Sequence, residues 1–446
     1  MNRFFCIFDI QILTAMMNMI ILIVFYITFP MFLIWATMKS SFLKKIGAIV
    51  LAYGTGILIA NVGILPKGSD AFIEETVGKD RASIPKTEVA ELFASGRLTE
   101  RDLRANNVAG IQDIVQSSVI PLALPLILFS LNVRRWLRFS GKGFLSMLLA
   151  VVSVMIIVAT GYMIFREKIP DTNKIAGMLI GCYTGGTVNM ASLAVALDVE
   201  PNSFVMTNTY DMIIGAVTIL FFITAGPKVF RLFLPAYKMH SDKNSENFDF
   251  DEMGKQMAED FDDYSGMFRK KTIIPLLGAF GIAVIIFAAA FGASLLLPKV
   301  PQLISVILTI TTLGVAASFV TRIRQIRKTF QLGMYFIVAF SLIIASRCDL
   351  SVFFQVKYLN LLLFVTWAYF GSLILHLILS WIFRVDADDY LITTTGFVYS
   401  PPFVPMVAAA LKNKDIILTG LATGIIGWMI GNYVGIAFGV WLDKIF

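Results

Sequence analysis

The stretch Gly181-Cys182-Tyr183-Thr184-Gly185-Gly186-Thr187-Val188-Asn189 decides the reading of this chain, together with Thr393-Thr394-Thr395-Gly396-Phe397-Val398-Tyr399-Ser400-Pro401-Pro402. Each stretch interrupts a long apolar segment. Paired glycines break a helix in the first, and two consecutive prolines remove two backbone donors and forbid a regular helix in the second. Non-helical backbone inside a membrane is tolerated only where it is buried in protein or lines a cavity. Close packing through small residues accounts for glycines. It does not account for the polar groups gathered around them, namely Tyr183, Thr184, Thr187 and Asn189 in one stretch and Thr394, Thr395, Tyr399 and Ser400 in the other.

Outward from these breaks, the chain repeats itself. Ala194-Val195-Ala196-Leu197 follows the first break and Ala408-Ala409-Ala410-Leu411 follows the second. In the next segments, Ile213-Ile214-Gly215 matches Ile425-Ile426-Gly427 at nearly the same offset along the chain. Apolar segments run at roughly 12–36, 46–65, 111–131, 144–165, 175–198 and 203–225, and again at 273–297, 303–320, 332–346, 359–383, 389–411 and 416–442. In both sets of six, the fifth segment carries the break. The reading is an all-α polytopic membrane protein of two repeats, 1–226 and 272–446, joined by a linker at 227–271. Paired discontinuous segments of this kind are the best sequence pointer to a secondary transporter's binding site.

Composition agrees. The chain has 446 residues, of which 57% are apolar and 15% charged, with a mean hydropathy of +0.78. Soluble domains run at about 45–50% apolar and about 25% charged. The apolar mass falls in runs that reach the roughly 20 residues needed to cross a bilayer. The first run lacks the dimensions and cleavage site of a signal peptide and reads as a retained span.

Charge sets orientation. The net charge of +7 sits in short basic clusters beside apolar runs, which points to cytoplasmic loops and not to a nucleic-acid face. Those clusters are Lys39, Lys44 and Lys45; Arg134, Arg135, Arg138 and Lys142; Arg269, Lys270 and Lys271; and Arg322, Arg324, Arg327 and Lys328. All four share one side only if a segment in each repeat fails to cross. A fifth segment that enters, breaks and leaves on its side of entry restores the parity. Each repeat then has about five transmembrane helices plus a re-entrant or broken helix, and the halves are inverted. The 166–174 loop, with Arg166, Lys168 and Lys174, sits on the other side and counts against this arrangement. A broken helix that crosses, with some other segment not spanning, is the alternative.

Two hydrophilic stretches stand apart. An extracytoplasmic insertion at 66–107 contains a short amphipathic helix at Lys86–Ser95, closed by Gly96. The linker is cytoplasmic, and its 242–263 part holds nine acids against two lysines. A solvated connector is the plain reading of it.

Candidate ion and solute ligands follow from burial of polar groups. Asp211 lies inside the sixth segment, and an intramembrane carboxylate is a functional-site hypothesis by default. Asn208 is three residues earlier and shares its helix face. Together they would offer a carboxylate and an amide to a sodium ion, or a carboxyl to a proton. Ser346-Arg347-Cys348-Asp349 interrupts the ninth segment. There Arg347 would meet a substrate carboxylate and Asp349 would join the coupling groups, or both would simply mark a helix end. His376 reads as a hydrogen-bonded packing residue. Pro121 and Pro125 suggest a kinked third helix.

Other chemistry lacks residues to carry it. Cys6, Cys182 and Cys348 form no disulfide framework, and His240 and His376 are too few for a histidine metal site. No second aspartate in a GxGD context accompanies Tyr210-Asp211, and GxSxG, HExxH and P-loop motifs are missing. The chain is expected not to be an enzyme and to need no cofactor beyond a sodium ion near Asp211.

The stretches YTGGTVNMASLAVAL (183–197), TNTYDMIIGA (207–216), VIPLALPLILF (119–129) and SPPFVPMVAAAL (400–411) resemble the YjcL-type integral membrane family of unknown function. That family is grouped with the cation–proton antiporter and anion transporter superfamily, which includes sodium–glutamate and bile acid–sodium carriers. The resemblance implies inverted repeats, a scaffold domain that forms a homodimer, and a core domain that moves as an elevator. It implies a site lined by Thr184, Gly185, Gly186, Thr187 and Asn189 and by Thr394, Thr395, Tyr399, Ser400, Pro401 and Pro402, with Asp211 beside it. The expected function is transport of a small anionic organic solute across a bacterial inner membrane, coupled to sodium or protons. Two alternatives stand beside it. One is a monovalent cation–proton antiporter in which Asp211 cycles the proton. The other is a non-transporting scaffold or sensor acting through 242–263.

Overall fold

The computed structural model describes the chain apart from residues 1, 41, 44–46, 70, 73–74, 76–82, 131–140, 238–262, 298–299, 349–355, 414–415 and 446, and apart from the side chains of 2–19, 86 and 357. Asp349, His240, Arg134, Arg135, Arg138 and the acidic stretch up to residue 262 therefore lie outside the described residues, as does the side chain of Cys6. Every regular element among the described residues is helical. The long ones are α1 (Asn2–Lys39), α2 (Ala48–Asn61), α4 (Glu100–Phe129), α5 (Gly141–Phe165), α6 (Thr172–Ala196) and α7 (Pro201–Thr224), then α9 (Lys270–Leu295), α10 (Gln302–Ser318), α12 (Thr329–Ala345), α13 (Val356–Ile382) and α16 (Ile417–Ile445). Short helices are α3 (Lys86–Ala94), α8 (Gly226–Phe233), α11 (Thr321–Arg324), α14 (Ala387–Thr394) and α15 (Val404–Leu411). Among the described residues, eight helical stretches have the length and hydropathy to cross a membrane. The protein is a multi-pass membrane protein.

Each apolar segment of the sequence is met by helix, but the first helix begins at Asn2 and not near 12, the 389–411 segment is met by two helices, and the third is shifted. The third segment begins at Glu100, not near 111. Thr99 and Asp102 explain this, because the Asp102 carboxylate accepts from Thr99 N–H at 2.9 Å and from its hydroxyl at 2.7 Å, which closes the helix start. The first turns of α4 thus belong to the hydrophilic insertion.

The chain forms two compact units, residues 1–120 with 334–352, and residues 121–333 with 353–446. It passes between them within α4 at Pro121, within α12 at Gly333–Met334, and again after residue 352. In the first unit, the insertion has a core of its own made of Phe72, Ile84, Val89, Leu98 and Ala105. Asn106 holds both backbone groups of Ile84, at 2.6 and 3.0 Å. Deeper in that unit, Gln112 Nε2 donates to Tyr26 Oη at 2.8 Å and to Ser346 Oγ at 3.0 Å, which ties α1, α4 and the end of α12 together.

The second unit is organised around α16. Its Gly427, Gly431, Gly435 and Gly439 recur every fourth residue and form a smooth ridge. The first arm of α6 lies antiparallel on it through Gly177, Gly181 and Gly185. A Cβ at Gly177 would come within 2.6 Å of Gly435 O, and one at Gly427 would collide with Thr184 O. Small residues let two backbones approach this closely, and dispersion between them replaces a hydrophobic effect that lipid does not supply. Packing and breakage are thus both encoded in the same glycine-rich stretch.

Candidate functional site

The two interrupted segments are helical hairpins. In α6 the backbone leaves helical geometry at Gly186, with φ 70 and ψ −164. Beyond it the chain returns along itself: Leu193 reaches the Cβ position of Gly181, and Leu197 comes within 2.9 Å of that of Gly177. Lys174 Nζ closes the root by donating to Asp198 O at 3.1 Å. As one stretch, Thr172–Ala196 has the length of a span. Folded at Gly186, its arms reach only about 21 and 15 Å at 1.5 Å per residue, short of the roughly 30 Å of hydrocarbon.

The second hairpin repeats the plan with different residues. α14 continues into a π turn at Thr395–Tyr399, breaks at Ser400 (φ 75, ψ 165), passes through a 3-10 turn at Pro401–Phe403, and returns as α15. Ile392 and Val404, on opposite arms, both lie against Gly420 of α16. The root is held by Asp388, which accepts from Asn413 Nδ2 at 2.9 Å and pairs with Arg231 of α8 at 3.0 Å.

The two tips meet. A methyl group at Gly186 would strike Ser400 Oγ. Around this junction Thr187, Val398, Tyr399, Ser400 and Pro402 are half-buried, whereas α14 and most of both arms of α6 are buried and α15 exposes Met406 and Ala409 on its outer face. Tyr399 spans outward from the tip. Its hydroxyl donates to Gly215 O of α7 at 3.0 Å and is hydrogen-bonded to Tyr369 Oη of α13.

Asp211 lies one turn before Gly215 on α7. Cys182 Sγ donates to its Oδ2 at 3.7 Å, and the Tyr183 hydroxyl lies within its electrostatic reach. Tyr183 in turn sets its ring edge-on to Tyr369, centroids 5.5 Å apart. The site therefore forms a continuous run from Asp211 through Tyr183 and Tyr369 to Tyr399 at the second tip. Buried polar atoms almost always find a partner. Among the described residues, Asn208 Oδ1 and Asn189 Oδ1 are buried without one, and Asp211 Oδ1 and Tyr183 Oη, close enough to act on each other, reach no partner of good hydrogen-bond geometry. Among the described residues no lysine or arginine pairs with Asp211.

The remaining residues singled out in the sequence distribute as follows. Thr184 Oγ1 bonds Ile180 O at 2.8 Å, and Thr395 Oγ1 bonds Leu391 O at 2.7 Å, so both hydroxyls are satisfied within their own arms. Thr394 Oγ1 bonds Tyr390 O at 2.9 Å and faces His376 Nδ1 at 3.3 Å, while His376 Nε2 faces Ser146 Oγ at 3.2 Å. Gly185 packs on α16, Pro401 lies against Gly424, and Asn189 Nδ2 donates to Gly427 O at 2.9 Å. Arg347 belongs to the other unit, where it pairs with Asp113 at 2.9 Å and donates to Gln116 Oε1 at 2.7 Å.

Sequence reasoning missed Cys182, which lies inside the first broken stretch but carries no polar signal of its own, and Tyr369, which sits in an apolar run, as neighbours of Asp211. It also missed Asp386, Asp388 and Asp389 at the start of α14, all buried. The string Asp-Ala-Asp-Asp before an apolar segment was the available signal: Asp386 caps the half-helix by accepting from Asp389 N–H at 2.8 Å.

The chain is 26% identical over 346 residues to a protein of Bacillus subtilis (strain 168) described as "Uncharacterized membrane protein YjcL", covering 75% of this chain and 84% of that one. A family model described as "Protein of unknown function (DUF819)" matches residues 97–445, which include both hairpins, α7 and α16. The chain therefore belongs to the DUF819 family, membrane proteins to which no function is attached.

Proposed function

We propose that this protein is a secondary active transporter of a bacterial inner membrane, moving a small anionic organic solute with a coupling cation. The observation that carries this reading is the meeting of two helical hairpin tips, at Gly186 and Ser400, beside a carboxylate with an oxygen that reaches no partner of good hydrogen-bond geometry. Two hairpins from opposite halves of the chain bring their breaks together, and helix breaks of this kind are where discontinuous helices offer backbone amides and carbonyls to solutes and ions. Asp211, with Asn208, is the coupling site, for sodium or for a proton. The two halves act as inverted repeats, and the hairpin-bearing unit acts as the moving element.

The test is flux in proteoliposomes under an imposed sodium or pH gradient, with a panel of small carboxylates. A solute-dependent current that Asp211→Asn abolishes in a folded protein supports the reading. Coupled transport that survives Asp211→Asn removes the key residue assignment.

One observation favours a second reading. Among the described residues the site holds one acidic side chain, Asp211, and no cation pairs with it, while Arg347, the guanidinium expected for a solute carboxylate, is engaged by Asp113. A site of that charge suits a monovalent cation–proton antiporter. Ion-driven proton movement in the same vesicles, with no organic solute present, would favour it.

A further inference from the structure

The second unit contains a cationic cleft that belongs to neither hairpin. It has a volume of about 260 Å³ and is lined by Lys271, Thr272 and Pro275 of α9 and by Arg322, Gln325, Ile326 and Arg327 in and after α11. Three cations therefore share one cleft. Their neighbours are already committed, with Lys328 paired to Asp263 at 2.8 Å and Arg324 turned toward Ser318 O at 3.4 Å. Among the described residues no carboxylate is within ion-pair distance of Lys271, Arg322 or Arg327.

Two further features point to the ligand. The first turn of α9 has no side-chain cap, since Arg269 stands at its N-cap, so the Lys270 and Lys271 amides are left for an anion, while Thr272 N–H already donates to Arg269 O at 2.8 Å. Apolar side chains also adjoin the cleft in the chain and are exposed, Ile274 and Leu277 on α9, and Phe319 and Val320 ahead of α11. A soluble anion would use the cations and leave that apolar margin idle. A membrane lipid uses both.

We propose that this cleft binds the phosphate headgroup of an anionic phospholipid, with its acyl chains along the exposed face of α9. Basic pockets between helices at the cytoplasmic edge of a membrane take such headgroups, and the two clusters that form this one are those the positive-inside pattern assigns to that edge. The inference is independent of the transport reading, because neither hairpin nor α7 lines the cleft.

The test uses the full chain, delipidated in a non-ionic detergent, with thermal stability read during titration of phosphatidylglycerol, phosphatidylcholine or inorganic phosphate at matched ionic strength. A saturable rise in Tm with phosphatidylglycerol alone is expected. The triple variant Lys271→Gln, Arg322→Gln, Arg327→Gln should need on the order of a hundredfold more of it for half the shift, with each single variant intermediate. All three residues are exposed, so folding is not at stake. A control that replaces the exposed Lys168, Lys228 and Lys444 in the same way should respond like the wild type. The proposal is overturned if the cleft triple keeps the full response or the control loses as much. It is equally overturned if phosphatidylcholine matches phosphatidylglycerol, or if inorganic phosphate alone reproduces the shift.

Discussion

Gly186 and Ser400 take up the same unusual backbone, φ 70 with ψ −164 and φ 75 with ψ 165, and sit against each other at the tips of two hairpins. They hold corresponding places in the two halves, since the Ala-Val-Ala-Leu run follows Gly186 at the same interval as the Ala-Ala-Ala-Leu run follows Ser400. Glycine visits this region freely, whereas a serine held there stores about 1–3 kcal/mol. Strain kept at a junction between two half-helices is the kind expected where backbone groups are presented to a ligand.

Substitutions at this pair should behave asymmetrically. Ser400→Gly relieves strain and should raise stability by about 1 kcal/mol after the entropy of the added glycine is counted, while Ser400→Ala should not. Gly186→Ala adds both a strained φ and a collision with Ser400 Oγ, and should destabilise by about 2–4 kcal/mol. Ser400→Gly should rescue part of that loss, since it removes the colliding hydroxyl. A double-mutant cycle on thermal stability with coupling under about 0.5 kcal/mol would show that the tips do not touch.

Asp211 makes a prediction about ions. A ligand binding only the folded protein stabilises it by RT ln(1 + [L]/Kd), about 2.7 kcal/mol at a hundredfold excess over Kd. If Asp211 Oδ1, which reaches no partner of good hydrogen-bond geometry, serves a sodium ion, Tm should be higher in sodium than in potassium at equal ionic strength. Asp211→Asn should erase the difference without unfolding the protein. Equal stability in the two salts, with a dependence on pH that Asp211→Asn removes, would mark the proton as the coupling ion instead.

The glycine ridge sets up a contrast within one residue type. A Cβ at Gly427 meets the backbone oxygen of Thr184, which no rotamer change can move, whereas Gly278 on α9 has nothing within 4 Å. Gly427→Ala should therefore cost about 3 kcal/mol or more, and Gly278→Ala should be neutral or slightly stabilising. Similar unfolding temperatures for the two variants would contradict the antiparallel packing of α6 on α16.

These same residues show what a single sequence can and cannot disclose. Gly185-Gly186 and Pro401-Pro402 announced both breaks, because backbone permissiveness and a missing donor act locally. The helices announced themselves by length and hydropathy. The ridge of Gly427, Gly431, Gly435 and Gly439 was equally present, but its meaning depends on α6, a partner from the other half of the chain. α6 is buried on nearly every side, so no amphipathic stripe marks which of its residues face Asp211. Cys182 therefore stayed hidden within the first broken stretch, and Tyr369 stayed hidden among the apolar residues of α13. Asp388 looked like the edge of an apolar segment, since Arg231 and Asn413, which make it a hairpin latch, arrive from elsewhere in the chain.

The join between the linker and the second half should be sensitive to acid. Burial works against ionisation of Asp263, yet hydrogen bonds from Lys328 Nζ at 2.8 Å and from Ser265 N–H at 2.9 Å outweigh it and hold the carboxyl down at about 2. A carboxyl whose pKa is depressed on folding contributes stability that is present above the usual value near 4 and lost as pH falls through the folded value. The pair is partly exposed, with 39% of the Asp263 side chain accessible, so its contribution is modest and screened by salt. The Tm difference between wild type and Asp263→Asn should therefore be constant from pH 7 to about 5 and close between about 4 and 2. Lys328→Gln should narrow the same window from below by raising the Asp263 pKa. A difference that opens as the pH falls would reverse the sign and refute the pairing.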